Sequence, residues 1–202
     1  MPEVETPHGP ARVHMREVDG PLAGLVLGHG AAGGVGTPDL AVATEVANQA
    51  GVSVALVEQP YVVAGRRSPA PAKQLDTAWR AVLEELRGGA LEGLPLIVGG
   101  RSAGARVACR TVADVGAMAV LCLAFPVHPP GKGDDPTKSR LDELEAVKVP
   151  ALVVQGESDP FGMPTDGPDR TVVKVPGNHS LKDTNAVAAA VSDWLPTVIR
   201  AT

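Results

Sequence analysis

A serine, an aspartate and a histidine stand in this chain in the order and local settings that nucleophilic catalysis requires. Ser102 lies at the centre of Gly100-Arg101-Ser102-Ala103-Gly104. An apolar run, Leu94-Pro95-Leu96-Ile97-Val98-Gly99, precedes it, and an alanine-rich helical stretch over residues 103–115 follows. A serine on so sharp a strand-to-helix turn takes unfavourable backbone angles, and glycines flank it because a Cβ there would strike the neighbouring strand or helix. The hydroxyl is thereby pushed out of the sheet. With 23 glycines in 202 residues, composition alone yields such a pentapeptide in roughly one chain in ten. A glycine-rich turn that merely packs a helix on a sheet is therefore the competing reading, and the rest of the chain has to decide.

Serine is a weak nucleophile until a base takes its proton, and an imidazole can both take that proton and return it to a leaving group. Pro176-Gly177-Asn178-His179 places an imidazole just past one strand, and Ala151-Leu152-Val153-Val154-Gln155-Gly156-Glu157-Ser158-Asp159 places a carboxylate just past the strand before it. Asp159 would set the tautomer of His179 and stabilise its charged form. Glu157 is the rival acid. The turn from Gly156 to Asp159 favours Asp159 by bringing it round towards the histidine loop. Taken singly, Asp159-Pro160 reads as a turn initiator and His179 as a solvated loop residue. Their order after Ser102 and their places at strand ends favour catalysis.

The loop Gly28-His29-Gly30-Ala31-Ala32-Gly33-Gly34 follows the strand before the first long helix. Backbone N–H groups of Ala103 and of Ala31 or Ala32 would there form an oxyanion hole for a tetrahedral intermediate. A phosphate-binding loop is the alternative, but the glycines are not followed by the lysine or the acidic residue that such loops need. His29 is read as part of the loop and a wall of the substrate site rather than as a base. Arg66 and Arg67 follow a strand end, and His128 lies in a Pro/Gly-rich excursion over residues 126–138. All three can reach a pocket mouth, where Arg66 and His128 are candidate substrate-binding residues. Surface pairing and loop structure compete with that role, and the same holds for Arg101.

These residues need a scaffold, and the hydropathy pattern supplies one. Apolar runs at residues 13–18, 22–27, 52–57, 94–98, 117–124, 151–155 and 171–175 predict about seven strands, most of them buried on both faces as in a parallel sheet. Helices are predicted at 38–50, 72–87, 102–115, 139–147 and 185–200, with Pro196 as a kink or an early stop. Their alternation indicates one domain over residues 1–202 with a doubly wound, mostly parallel α/β sheet, whose ligand sites lie beyond the carboxyl ends of the strands.

Composition narrows the function classes. A net charge of −5 with scattered Lys and Arg predicts no nucleic-acid partner. The longest apolar stretch falls far short of the ~20 residues of a membrane span, and the acidic, proline-bearing N-terminus lacks the pattern of a signal peptide. A cytosolic protein with no membrane partner is expected. Cys109 and Cys122 lack ligand spacing and read as core thiols, so neither metal nor cofactor is expected. Trp79, Trp194, Tyr61, Phe125 and Phe161 are the whole aromatic set, so any pocket must be lined mainly by aliphatic side chains and backbone.

The chain resembles the small α/β-hydrolase-like proteins related to a subunit of the eukaryotic non-specific-lethal acetyltransferase complex and to a testis-expressed protein, near the dienelactone hydrolases. The resemblance runs through the loop at 28–34, Gln59-Pro60-Tyr61, Gly65-Arg66-Arg67, Trp79-Arg80, residues 99–108, Phe125-Pro126-Val127-His128-Pro129-Pro130-Gly131-Lys132, residues 155–162 and residues 177–182. It implies an α/β-hydrolase fold with no cap domain, nucleophile Ser102, acid Asp159 and base His179. Ala105 departs from the glycine common after Ser-x-Gly. The expected activity is a serine hydrolase cleaving a small ester or thioester, acyl transfer to an alcohol being a variant. A binding or scaffold protein that inherited the fold is the alternative, because a fold does not fix a function.

Overall fold

The apolar runs become strands of one sheet in a computed structural model, which describes residues 2–32 and 34–200. Gly33 of the glycine-rich loop lies outside the described residues. The strands are β1 (Glu3–Val4), β2 (Ala11–Arg16), β3 (Ala23–Gly28), β4 (Val52–Glu58), β5 (Leu96–Arg101), β6 (Ala119–Leu123), β7 (Ala151–Gly156) and β8 (Arg170–Val175). Their spatial order is β1-β2-β4-β3-β5-β6-β7-β8. From β4 to β8 all pairings are parallel, and β1 and β2 add an antiparallel edge. The expected sheet of about seven strands thus has eight. The extra strand is the two-residue β1, too short to carry any hydropathy pattern.

The helices are α1 (Pro38–Gln49), α2 (Pro60–Val63), α3 (Ala72–Arg87), α4 (Ala103–Val115), α5 (Leu141–Glu145) and α6 (Thr184–Ile199). Their apolar sides bury two cores, one on each face of the sheet. Trp79, Leu83, Val107 and Leu144 from α3, α4 and α5 close one face. Leu40, Ala43, Val187 and Val191 from α1 and α6 close the other. Strands β3, β5, β6 and β7 are covered on both sides, which explains their predominantly apolar composition. Cys109 and Cys122 are free and buried, with Sγ atoms 3.5 Å apart across the α4–β6 contact.

Two local expectations are corrected. Of the two readings of Pro196, a kink or an early stop, the early stop is the one overturned, since α6 runs on to Ile199. The proline sits in the last turn, and the carbonyl that its missing N–H would have served belongs to Ser192, an exposed residue. The helix predicted over 139–147 is only the five-residue α5, preceded by a 3-10 turn, Pro136–Lys138. That turn and α5 are all the regular structure between β6 and β7. Among the described residues no cap domain rises over the carboxyl ends of the strands.

Close backbone packing holds the elbow against the sheet. A Cβ on Gly104 would lie 2.4 Å from the carbonyl oxygen of Gly28, so the first turn of α4 rests directly on the end of β3. Gly104→Ala is expected to push α4 off β3 at a cost of about 3 kcal/mol or more, lowering the melting temperature by roughly 6–12 °C. A thermal melt superimposable on that of the unmutated protein would contradict this packing.

Candidate active site

Ser102 connects β5 to α4 with φ 51° and ψ −108°, a backbone state that a non-glycine residue reaches only under strain. Its N–H donates to the carbonyl of Leu123 on β6, and its own carbonyl accepts the N–H of Arg106 in α4, so the turn is held from both sides. The strain keeps the side chain over the strand ends. Ser102 Oγ stands 2.9 Å from His179 Nε2.

His179 follows β8 in a loop fixed at several points. Asn178 Oδ1 accepts the N–H of Ser180, and the fully buried Leu181, at φ 44°, plugs the loop into the core. Gly156 lets this loop lie on the end of β7, where a Cβ would come within 2.4 Å of the Asn178 carbonyl oxygen. On the other side of the ring, His179 Nδ1 lies 2.8 Å from Asp159 Oδ2. The Asp159 side chain is wholly buried and that of His179 is 15% exposed. A carboxylate can only accept, so Nδ1 carries the proton, and Nε2 is left with a lone pair for the Ser102 O–H. Glu157, the rival acid of the sequence, is exposed at the rim.

Two neighbours of Asp159 and His179 carried no chemical signal in the sequence. The buried Gln155 amide lies 2.9 Å from Asp159 Oδ2, 3.0 Å from the Phe125 carbonyl and 2.8 Å from that of Gly162, sharing its two protons among them. The Phe161 N–H donates to Asp159 Oδ1 at 2.8 Å. The Phe161 ring covers the imidazole, with centroids 4.1 Å apart and planes tilted by 30°. Gln155 reads in sequence as one more residue of an apolar strand. Its interior position on a strand buried on both faces was the available hint, since a buried amide must find partners.

The loop after β3 reaches the serine through Gly30, whose position for a Cβ lies 3.6 Å from the Ser102 Cβ. Ala31 and Ala32 form the exposed turn beyond it, while Ala103 opens α4, where the first N–H groups of a helix have no intrahelical acceptor. Tyr61 donates its hydroxyl to the Ala31 carbonyl at 3.0 Å. Burial raises the pKa of that phenol to about 12, so it stays a donor.

The three expected substrate-binding residues have the following surroundings. His29 is buried, and both ring nitrogens are spent inside the protein: Nδ1–H donates to the Gly30 carbonyl at 2.7 Å and Nε2 accepts the Gln59 N–H at 3.0 Å. Burial lowers its pKa, which keeps the ring neutral and fit for those two roles. It holds the loop and leaves no nitrogen for a ligand. His128 donates from Nδ1 to the Pro129 carbonyl at 2.8 Å and lies against Gly133 and Gly162, bracing the segment that carries Asp159 and Phe161. Arg66 is exposed at the edge of a cavity of about 60 Å³, shared with His8, Gln59, Tyr61 and Leu75. Linear spacing could not reveal the backbone partners of His29 and His128, because the residues that supply them are fixed only by the folded loops. Among the described residues no three His, Cys, Asp or Glu side chains gather as a metal would require, and no helix is long and apolar enough to cross a membrane.

A family profile described as "Alpha/beta hydrolase domain" matches residues 21–198. The chain belongs to that family. Known structures agree with the assignment of fold. A lidless α/β serine hydrolase from Xanthomonas campestris, XC6422, superposes with a TM-score of 0.74 at 21% identity, covering 96% of this chain and 94% of its own. Est1E from Butyrivibrio proteoclasticus, solved with ferulic acid bound, gives 0.76 at 16% identity over 99% and 100%. A dienelactone hydrolase from Anabaena variabilis gives 0.73 at 18% identity over 97% and 95%. At such identities the likeness establishes an α/β-hydrolase fold without a cap. No curated protein sequence matches the chain.

Proposed function

We propose that this α/β-hydrolase is a serine hydrolase that cleaves small carboxylic esters or thioesters through an acyl-enzyme on Ser102. The observation that carries the reading is the continuous relay from Ser102 Oγ to His179 Nε2 at 2.9 Å and from His179 Nδ1 to Asp159 Oδ2 at 2.8 Å. Ser102 Oγ attacks the acyl carbon as its proton passes to His179 Nε2, and the imidazolium returns that proton to the departing alkoxide or thiolate. A water then attacks the acyl-serine, giving its proton to His179, which passes it to the Ser102 oxygen as the carboxylic acid leaves. The N–H groups of Ala103 and of Ala31 or Ala32 hold the negative oxygen of both tetrahedral intermediates. The buried, closely held Asp159 keeps the imidazole in the productive tautomer throughout.

Esterase neighbours and the lidless fold support this substrate class. The kinship with the non-specific-lethal complex subunit and the testis-expressed protein rests on the sequence resemblance, most of all on His128-Pro129-Pro130-Gly131-Lys132.

A fluorophosphonate probe tests the reading directly, the expected result being one phosphonyl adduct located by mass spectrometry on Ser102. With no cap, the cleft has little apolar area to grip a long acyl chain, each of whose buried methylenes would add roughly 0.8 kcal/mol. For nitrophenyl esters kcat/KM is therefore expected to peak between acetyl and butyryl. A continuous rise from butyryl to decanoyl under micelle-free conditions refutes the open cleft. Absence of both labelling and turnover transfers the protein to the binding or scaffold class.

A further inference from the structure

Arg101, the last residue of β5 and the neighbour of Ser102, is bound on three sides. Its Nη2 donates to the backbone carbonyl of His179 at 3.0 Å. Its Nε lies 2.9 Å from Asp39 Oδ2 in the first turn of α1, although neither atom forms a directed hydrogen bond, so attraction between the charges holds the pair. Its Nη1 rests on Gly30, occupying space within 2.8 Å of where a Cβ would be. The Asp39 side chain has no exposed area, and its other oxygen accepts the N–H of Leu40 at 3.0 Å.

We propose that Arg101, anchored by Asp39, is a positioning residue that sets the placement of His179 relative to Ser102 and of the Gly30 loop beside it. The assignment rests on the hydrolase reading given above. A carboxylate sealed from water cannot be left unpaired without a large penalty, so Asp39 confines the guanidinium to one place. The rigid, planar fork then aims Nη2 at the His179 carbonyl while its opposite edge supports the loop. His179 sits in a segment without regular structure, and this bond ties its backbone to β5, the strand that carries the serine. The distance from Nε2 to Oγ is thereby referred to one rigid element. Lysine offers a single point charge and can satisfy Asp39 or the carbonyl, but not both along with Gly30.

Three proteins test this: unmutated, Arg101→Lys, and Arg101→Leu combined with Asp39→Asn. The double variant removes both charges together, so no buried ion is stranded, and its melting temperature should stay within about 4 °C of the original. Its kcat on nitrophenyl acetate should fall about 30- to 100-fold with KM changed less than about twofold, the pattern of misplaced reacting groups rather than weakened binding. Arg101→Lys, which keeps a partner for Asp39, should fold equally well and lose about tenfold in kcat. The second readout needs no turnover: the far-downfield proton signal of His179 Nδ1–H, bonded to Asp159, should broaden or vanish in the double variant. An unchanged signal, or unchanged kcat in both folded variants, overturns the assignment. An unmutated protein that hydrolyses no ester, but whose Nδ1–H signal collapses in the double variant, sinks the hydrolase reading and leaves the positioning role standing.

Discussion

Ser102→Ala leaves a folded protein that has lost turnover of activated short-chain esters by about four to six orders of magnitude. The size follows from the geometry: the hydroxyl supplies the attacking atom, and it is hydrogen-bonded to His179 Nε2. Alanine fills the same elbow, so the core beneath it is unaltered and the melting temperature should move by no more than about 3 °C. His179→Ala should lose nearly as much, since a serine with no proton acceptor is as inert as no serine. The double variant should be no slower than the worse of the two singles, because groups that act as a unit do not lose rate additively. Steady-state kinetics on nitrophenyl acetate with matched thermal melts decide it. A double variant far slower than either single, or a Ser102→Ala protein with more than about a hundredth of the original kcat, would remove Ser102 from the nucleophile's role.

The second large effect separates two carboxylates that lie two residues apart. Asp159→Asn should cut kcat by about ten-thousandfold, whereas Glu157→Gln should change it less than about threefold, as for an exposed surface residue. The physical reason is the set of donors around Asp159. Oδ1 accepts the Phe161 N–H, so an asparagine keeps its oxygen there and presents its NH2 where Oδ2 stood. That NH2 faces His179 Nδ1 and the Gln155 amide, both donors in the original arrangement. The imidazole must then accept at Nδ1 and hold its proton on Nε2, where it can no longer take one from Ser102. Turnover of the two variants side by side is the measurement, and the reverse ranking would hand the acid's role to Glu157.

The sequence determined the scaffold and the chemistry-bearing positions. Buried strands of a parallel sheet read as continuous apolar runs because both faces are covered, and amphipathic stretches between them read as helices because one side of each is wet. Ser102, Asp159 and His179 stood out because each follows such a run at its carboxyl end, and parallel strands bring those ends to one edge of the sheet. The two-residue β1 and the four-residue α2 are too short to impose a period on the residues that form them, and neither was legible.

Only the tertiary structure decided which partner each of these side chains meets. His29 and His128 have the right types and the right loops, yet the bonds of His29 to Gly30 and Gln59 and of His128 to Pro129 could not be read from spacing. Arg101 and Asp39 lie on different elements far apart in the chain, and Gln155 hides inside an apolar strand. Arg101 meets the His179 carbonyl and the Asp39 carboxylate, and Gln155 meets the Phe125 carbonyl, each contributed by a distant segment. Local sequence governs backbone propensity and the alternation of apolar and polar faces, which act over a few residues. Hydrogen-bond partnership across the sheet ends depends on where the chain returns in space, and that exists only once the strands have paired.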